Sequence, residues 1–287
     1  MGAPLTSGVF AAVLLGALLH AGWNALIKSG ADKSLDTALI HTLGVGVAVP
    51  IVAWVGFPHP ASWPYLATSI VIHLGYYIAL AGAYKHGDLG LTYPVMRGAA
   101  PLLVALASGP LVGETLSLQA WASVVAVCTG VAAVGLSPRA LHGNPSKALR
   151  FALANAAIIA VYTVVDGIGV RQSGNAAAYV ATLFLFDGLP YLALVMWQRR
   201  LARRETFAYM AGRWKLALIG GVASMASYGI ALWAMTRAPV ASVAALRETA
   251  VLFAAVIGVV WLRESFGLLR ALGTLLIVGG VAGLRLA

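Results

Sequence analysis

Apolar residues along the chain fall into ten runs of roughly bilayer-spanning length, with polar residues gathered in short breaks between them. The runs cover approximately 4–28, 35–56, 63–85, 91–112, 117–137, 147–171, 176–198, 214–237, 239–262 and 266–285. A helix needs about 20 mostly apolar residues to cross the hydrocarbon of a bilayer, so each run predicts a transmembrane span. The breaks carry turn formers, as in Ser29-Gly30-Ala31-Asp32-Lys33, Phe57-Pro58-His59-Pro60 and Gly87-Asp88-Leu89-Gly90. The longest polar run, 198–215, predicts a loop. Backbone facing lipid must satisfy its own hydrogen bonds, so the spans are expected to be helical and the fold to be an all-α integral membrane protein.

Composition strengthens this picture. The chain is 61% hydrophobic and 10% charged, with a mean hydropathy of +0.89. An ordinary soluble domain carries about a quarter charged residues, so this chain cannot cover a globular surface with polar groups. The net charge of +10 would suggest nucleic acid in a soluble protein, but here the basic residues lie mostly in loops. No nucleic-acid partner is expected. Cys128 is the single cysteine and can form no intramolecular disulfide. The first run lacks a basic leader and a clear cleavage site, so it reads as a retained helix.

Loop charge also predicts orientation. Lys and Arg favour the cytoplasmic side of short loops. The odd-numbered connections hold Lys28, Lys33, Arg139, Arg199, Arg200, Arg213 and Lys215 among others, whereas the opposite side holds Arg171, Arg237 and Arg285. This bias places both termini outside the cytoplasm.

The two halves repeat. A shift of about 150 residues aligns Arg97 with Arg247, Ala100 with Ala250, Leu102 with Leu252, Glu114 with Glu264, and Gly130-Val131-Ala132 with Gly280-Val281-Ala282. Small and aliphatic matches are common in membrane proteins, but charged matches at one spacing are not. Residues 1–137 and 147–287 therefore read as two five-helix repeats joined by a loop at 138–146. Five is odd, so the repeats must lie oppositely in the membrane, around a central cavity.

This plan, the Arg97–Glu114 and Arg247–Glu264 segments, and the opening His20-Ala21-Gly22-Trp23-Asn24 resemble the EamA branch of the drug/metabolite transporter superfamily. The resemblance covers essentially the whole chain. It rests on loose motifs, Gly113-Glu114-Thr115 and Arg263-Glu264-Ser265 before a Gly-rich last helix. It implies a ten-helix basket without ATPase machinery, among relatives that include exporters of amino acids, aromatic ones among them. It also implies termini inside the cytoplasm, against the loop charges.

Polar residues within the spans mark the candidate site. An ionisable group at bilayer depth costs roughly 2.5 kcal/mol or more unless paired or hydrated. Arg97 and Arg247, at matching positions, are expected to face a shared cavity, where guanidinium forks grip a carboxylate or phosphate. The rival reading is internal pairing, Arg247 with Glu248 for example. His20, Trp23 and Asn24 share a helical face, as do His73, Tyr76 and Tyr77, and Arg97 lies one turn beyond Tyr93. Tyr162 and Asp166 are one turn apart, and Tyr228 stands beside Ser224 on its helix. An aromatic body beside a hydrogen-bonding group suits a ligand with an apolar part and a polar end. Packing between helices is the competing explanation for each cluster.

Asp166 and Asp187 are the acids nearest helix interiors; either binds an ammonium, counters an arginine, takes up a proton, or forms a structural pair. Glu114 and Glu264 each precede a helix beside a hydroxyl, which predicts capping of the helix that follows. Trp63, Tyr65, Trp197 and Trp214 are expected at the membrane interface. Gly109/Gly113 and Gly279/Gly283 predict close helix packing.

The chain has no phosphate-binding Gly-x-x-x-x-Gly-Lys-[Ser/Thr] loop and no zinc-ligand spacing, so neither enzymatic chemistry nor a cofactor or metal is expected. The sequence predicts a multi-pass secondary transporter of a bacterial inner membrane, acting as a monomer on a small amphoteric solute such as an amino acid. Transport of anionic metabolites, sugar phosphates or drugs, and a membrane-embedded lipid-modifying enzyme, are the alternatives.

Overall fold

The computed structural model describes residues 5–86, 89–135, 145–262 and 267–287. Regular structure among the described residues is helical. The helices are α1 (Ser7–Lys28), α2 (Lys33–Val55), α3 (Trp63–His86), α4 (Leu89–Val112), α5 (Leu118–Gly135), α6 (Pro145–Gln172), α7 (Ala176–Gln198), α8 (Arg203–Met235), α9 (Val240–Arg247), α10 (Ala250–Leu262) and α11 (Leu268–Leu286), with a single 3₁₀ turn at Pro60–Ser62. Among the described residues, eight segments are long and apolar enough to cross a bilayer, and a shorter apolar helix occupies Leu118–Val134.

Local chemistry starts these helices where the polar breaks fall. Thr6 Oγ1 accepts from Val9 N–H at 3.3 Å, Asp32 Oδ1 from Leu35 N–H at 3.1 Å, and Asn175 Oδ1 from Ala177 N–H at 2.9 Å. Each satisfies a donor that the first helical turn leaves open. Prolines lie inside α2, α4 and α7, which neighbouring helices make tolerable in spans.

Two predicted boundaries are corrected. The run 198–215 is mostly helix, because α8 begins at Arg203. At 1.5 Å per residue its 33 residues extend about 50 Å, well beyond the roughly 30 Å of hydrocarbon. The polar extension is held by the start of α2: Tyr209 and Arg213, one turn apart, donate to Asp36 at 3.0 and 2.6 Å. Arg199 also pairs with Asp32 at 2.5 Å. Sequence reading sees only polarity there, not the partner that keeps the chain helical. The second correction falls in the ninth run, 239–262, which is two helices, α9 and α10, parted at Glu248 and Thr249.

Helices α3 and α4 lie on α6, while α8, α9 and α10 lie on α1; α2 meets α7, and α5 meets α11. Close backbone approach fixes the last pair. A Cβ on Gly130 would stand 2.7 Å from the Gly273 carbonyl oxygen, and one on Gly273 would stand 2.7 Å from that of Gly130. Gly280 abuts Ser123 in the same way, but Gly279 has nothing within 4 Å. The packing ridge of α11 is therefore Gly273, Ile277 and Gly280, and the predicted Gly279 faces away from it. Arg285 donates to the Leu5 carbonyl at 3.0 Å, so the two ends of the described chain share one face.

Candidate functional site

The break between α9 and α10 sets the centre of the site. Glu248 N–H donates to Ala245 O at 3.0 Å, Thr249 N–H to Leu246 O at 3.2 Å, Val251 N–H to Glu248 O at 2.9 Å and Leu252 N–H to Thr249 O at 2.9 Å. These three-residue bonds tighten the helix locally, as short 3₁₀ segments do. Thr249 Oγ1 reinforces the turn by donating to Leu246 O at 2.8 Å. A polar triplet, Arg247-Glu248-Thr249, thus occupies an interruption in an otherwise apolar span. Interrupted spans form ion and solute sites in transporters because their freed polar groups line protein-enclosed space.

The two aligned arginines are not equivalent in their surroundings. Arg97 Nε lies 3.0 Å from Glu248 Oε2, with side chains 11% and 6% exposed. Arg247 instead places its guanidinium carbon 5.2 Å from the centre of the Tyr228 ring, within cation–π range. Among the described residues no carboxylate pairs with Arg247. The ion pair at Glu248 is thus made by Arg97 of α4 and not by the adjacent Arg247, which stays within Coulombic reach of the same carboxylate.

Tyr228 links this cation to Asp166. Tyr228 Oη donates to Asp166 Oδ2 at 2.5 Å, and Tyr179 Oη donates to Asp166 Oδ1 at 2.8 Å. Asp166 and Tyr179 are fully buried. One turn earlier on α6, Tyr162 packs against His73 at 4.5 Å with the rings tilted by 33° and meets Tyr76 edge-on at 6.2 Å. His73 Nδ1 lies 3.4 Å from Ser69 Oγ and 3.9 Å from Asp187 Oδ1. Asp187 Oδ2 lies 4.0 Å from His41 Nδ1. A continuous polar band therefore crosses the bundle from α2 through α7, α3, α6 and α8 to α9 and α4.

The remaining predicted residues separate from this band to different degrees. His20 and Trp23 meet edge to face at 5.2 Å, and His20 lies within Coulombic reach of both Arg97 and Arg247. Trp23 Nε1 is buried without a hydrogen-bond partner among the described residues. Asn24 Nδ2 donates to the His20 carbonyl at 2.8 Å, an interaction within its own helix. The side chains of Tyr77 and Tyr93 lie outside the described residues.

Sequence reading missed three contributors: Tyr179, His41 and Asn155. Tyr179 and His41 lie in spans where polar residues are few, a usable signal, but neither shares a helical face with the motifs considered. Asn155 donates to Met96 Sδ at 2.8 Å, one residue from Arg97. Glu114, expected to cap its own following helix, serves another. Both its oxygens accept from Val240 N–H at the start of α9, at 3.0 and 2.9 Å, and Arg171 Nη2 approaches Oε1 at 2.6 Å. The start of α5 is capped by Ser117, whose Oγ accepts from Ala120 N–H at 3.1 Å. Gly113, at φ +73°, supplies the left-handed turn that ends α4 and releases Glu114 toward α9. Glu264 lies outside the described residues.

An apolar crevice of about 340 Å³ lies between α2, α7 and α8, lined by Val180, Met225, Gly229 and Trp233 among others. It contains none of the polar band and offers no group to orient a charged solute. Among the described residues no cluster of three or more His, Cys, Asp or Glu side chains is arranged to hold a metal ion.

Comparison with known proteins accords with a membrane bundle of this kind. A solved crystal structure is similar to this chain over 96% of each, at 24% identity and a TM-score of 0.75, a likeness of fold. No curated protein matches the chain. Residues 146–286, the stretch of this chain that holds the α9–α10 break and Arg247, match the EamA-like transporter family.

Proposed function

We propose that the protein is a secondary transporter that exports amino acids or similar small amphoteric metabolites by alternating access. The family match over the C-terminal half supports membrane transport, and the contact pattern supports two inverted five-helix repeats. Exchanging the halves turns α3 and α4 on α6 into α8 and α9–α10 on α1, and returns α2 on α7 and α5 on α11 to themselves. On this reading α9 and α10 are one interrupted span, which makes ten.

Arg247 carries the substrate assignment. It is a half-buried guanidinium with an aromatic face beneath it and no carboxylate partner among the described residues, so a solute carboxylate completes its charge balance. Arg97 shapes the same site but brings its own counter-ion in Glu248. Tyr76, Tyr162, Trp23 and Tyr228 supply the apolar wall, and His20 lies within Coulombic reach of the two guanidiniums. Anionic metabolites and sugar phosphates are the second reading, favoured by the same cation, which forms no ion pair among the described residues. The protein acts as a monomer in a bacterial inner membrane and carries out no enzymatic step.

Counterflow in proteoliposomes with a panel of labelled amino acids tests the proposal. Wild type is expected to accumulate at least one of them, and Arg247→Ala to lose that accumulation while remaining folded. Absence of counterflow for the whole panel, or undiminished counterflow in Arg247→Ala, would overturn the assignment.

A further inference from the structure

We propose that His41, Asp187 and His73 form a proton-binding site that couples solute movement to a proton gradient. The proposal rests on the transport reading above and adds its driving ion.

The three residues come from α2, α7 and α3 and meet inside the bundle, each with a side chain 13–14% exposed. Each carboxylate oxygen of Asp187 faces one imidazole: Oδ2 is 4.0 Å from His41 Nδ1 and Oδ1 is 3.9 Å from His73 Nδ1. With both rings neutral the cluster carries one negative charge. One added proton makes it neutral, and a second makes it positive. Charge is costly in apolar surroundings, so the arrangement is built to hold a single proton and release it as a unit. Either ring can carry that proton. Both gaps lie just beyond hydrogen-bond length, so a sub-ångström approach on either side selects the ring.

The surrounding groups connect this site to the substrate cation. Tyr191 of α7 packs edge-on to His41, and Ser69 and Tyr76 lie on the helix of His73. From α6, Tyr162 packs tilted against His73, and Asp166 lies within Coulombic reach of it. Asp166 in turn holds Tyr179 of α7 and Tyr228 of α8. Toward the loop end of α2, Asp36 is already engaged by Arg213 and Tyr209 of α8. From α1, His20 lies within Coulombic reach of Arg97 of α4, which pairs with Glu248. A proton arriving at His73 therefore changes the field at Asp166, which fixes the tyrosine on which Arg247 rests. The interrupted α9–α10 segment is the element that this change biases.

The test uses the full chain in proteoliposomes, with a mixture of radiolabelled amino acids as probe. A one-unit pH gradient should drive accumulation of up to about tenfold per coupled proton, in one gradient direction for symport and the other for antiport. Asp187→Asn should abolish gradient-driven accumulation while counterflow at equal pH persists, and His41→Gln should shift its pH dependence. Counterflow without any response to a gradient in wild type overturns the proposal and leaves the transport reading standing. So does a wild-type gradient response in the variants. If no amino acid undergoes counterflow, the substrate reading has failed separately. Nitrogen-15 spectra of the histidine-labelled chain in detergent, between about pH 5 and 9, then decide the proton site. A shared two-ring titration that becomes independent in Asp187→Asn supports it; ring titrations unchanged by both Asp187→Asn and His41→Gln overturn it.

Discussion

Arg97 and Glu248 form a buried ion pair, Nε to Oε2 at 3.0 Å, that ties the unbroken α4 to the break between α9 and α10. The pair joins opposite halves of the chain across 151 residues of sequence. Removing one partner of a buried pair leaves a charge without compensation and costs about 3–5 kcal/mol. Glu248→Ala is therefore expected to destabilise the protein by about 3 kcal/mol. The double variant Arg97→Met/Glu248→Met should recover much of that loss. Denaturant unfolding in detergent, carried round the double-mutant cycle, measures the coupling; additive losses would show that the pair contributes nothing as a pair.

The α5–α11 seam gives a sharper structural contrast, because two neighbouring positional types in one helix should respond oppositely. Gly273→Ala drives a Cβ to 2.7 Å from the Gly130 carbonyl oxygen and 2.8 Å from Val134 N. Backbone on the far side cannot yield without parting the helices, so a loss of about 1–3 kcal/mol is expected. Gly279→Ala meets nothing within 4 Å and replaces a poor helix former by the best one. Thermal unfolding in detergent should fall for the first variant and hold or rise for the second.

That contrast also shows what was legible in the sequence. Helix positions followed from apolar run length, because bilayer thickness imposes one length on every span. Residues such as Asp166 and Arg247 could be singled out because ionisable groups are rare at that depth. Their partners could not. Glu114 looked like a cap for α5 because it precedes that helix, but a positive-φ glycine aims it at α9. The ninth run reads as continuous because hydropathy averages over its polar triplet, and the break is a matter of hydrogen-bond register at Glu248 and Thr249. Of the predicted pair Gly279 and Gly283, Gly283 abuts Ser123 of α5 while Gly279 faces open space, and the closest backbone approaches fall at Gly273 and Gly280, which only the placement of α5 selects.

Glu114 is expected to matter more to α9 than to the helix beside it. It accepts twice from Val240 N–H and is braced by Arg171, itself partly exposed. Loss of such a helix-start acceptor costs about 1 kcal/mol. Glu114→Ala should therefore speed amide exchange in the first turn of α9 while leaving the start of α5, capped by Ser117, unchanged. Hydrogen exchange by mass spectrometry distinguishes the two helices; faster exchange at α5 alone would contradict the assignment.

The orientation of the bundle is open to a direct check. Arg285 brings the end of α11 to the start of α1, so one reporter locates both ends. Basic residues crowd the opposite face, which predicts termini outside the cytoplasm. A C-terminal alkaline phosphatase fusion should be active and a green fluorescent protein fusion dark. The reverse pattern would place the basic loops outside and refute the charge argument.

Recognition at Arg247 can be examined without altering the protein. A guanidinium that lacks a carboxylate partner among the described residues gains most from a ligand that brings one, because a hydrogen bond to a charged group contributes about 1.5–3 kcal/mol. Converting an amino acid to its amide keeps the shape and the ammonium but removes the anion. The amide should therefore compete in counterflow about tenfold to a hundredfold more weakly than the parent acid. Arg247→Lys keeps the positive charge and loses the planar fork, so it should narrow that difference without erasing it. Equal competition by acid and amide in wild type would mean that Arg247 recognises no carboxylate, and that its place over Tyr228 serves packing alone.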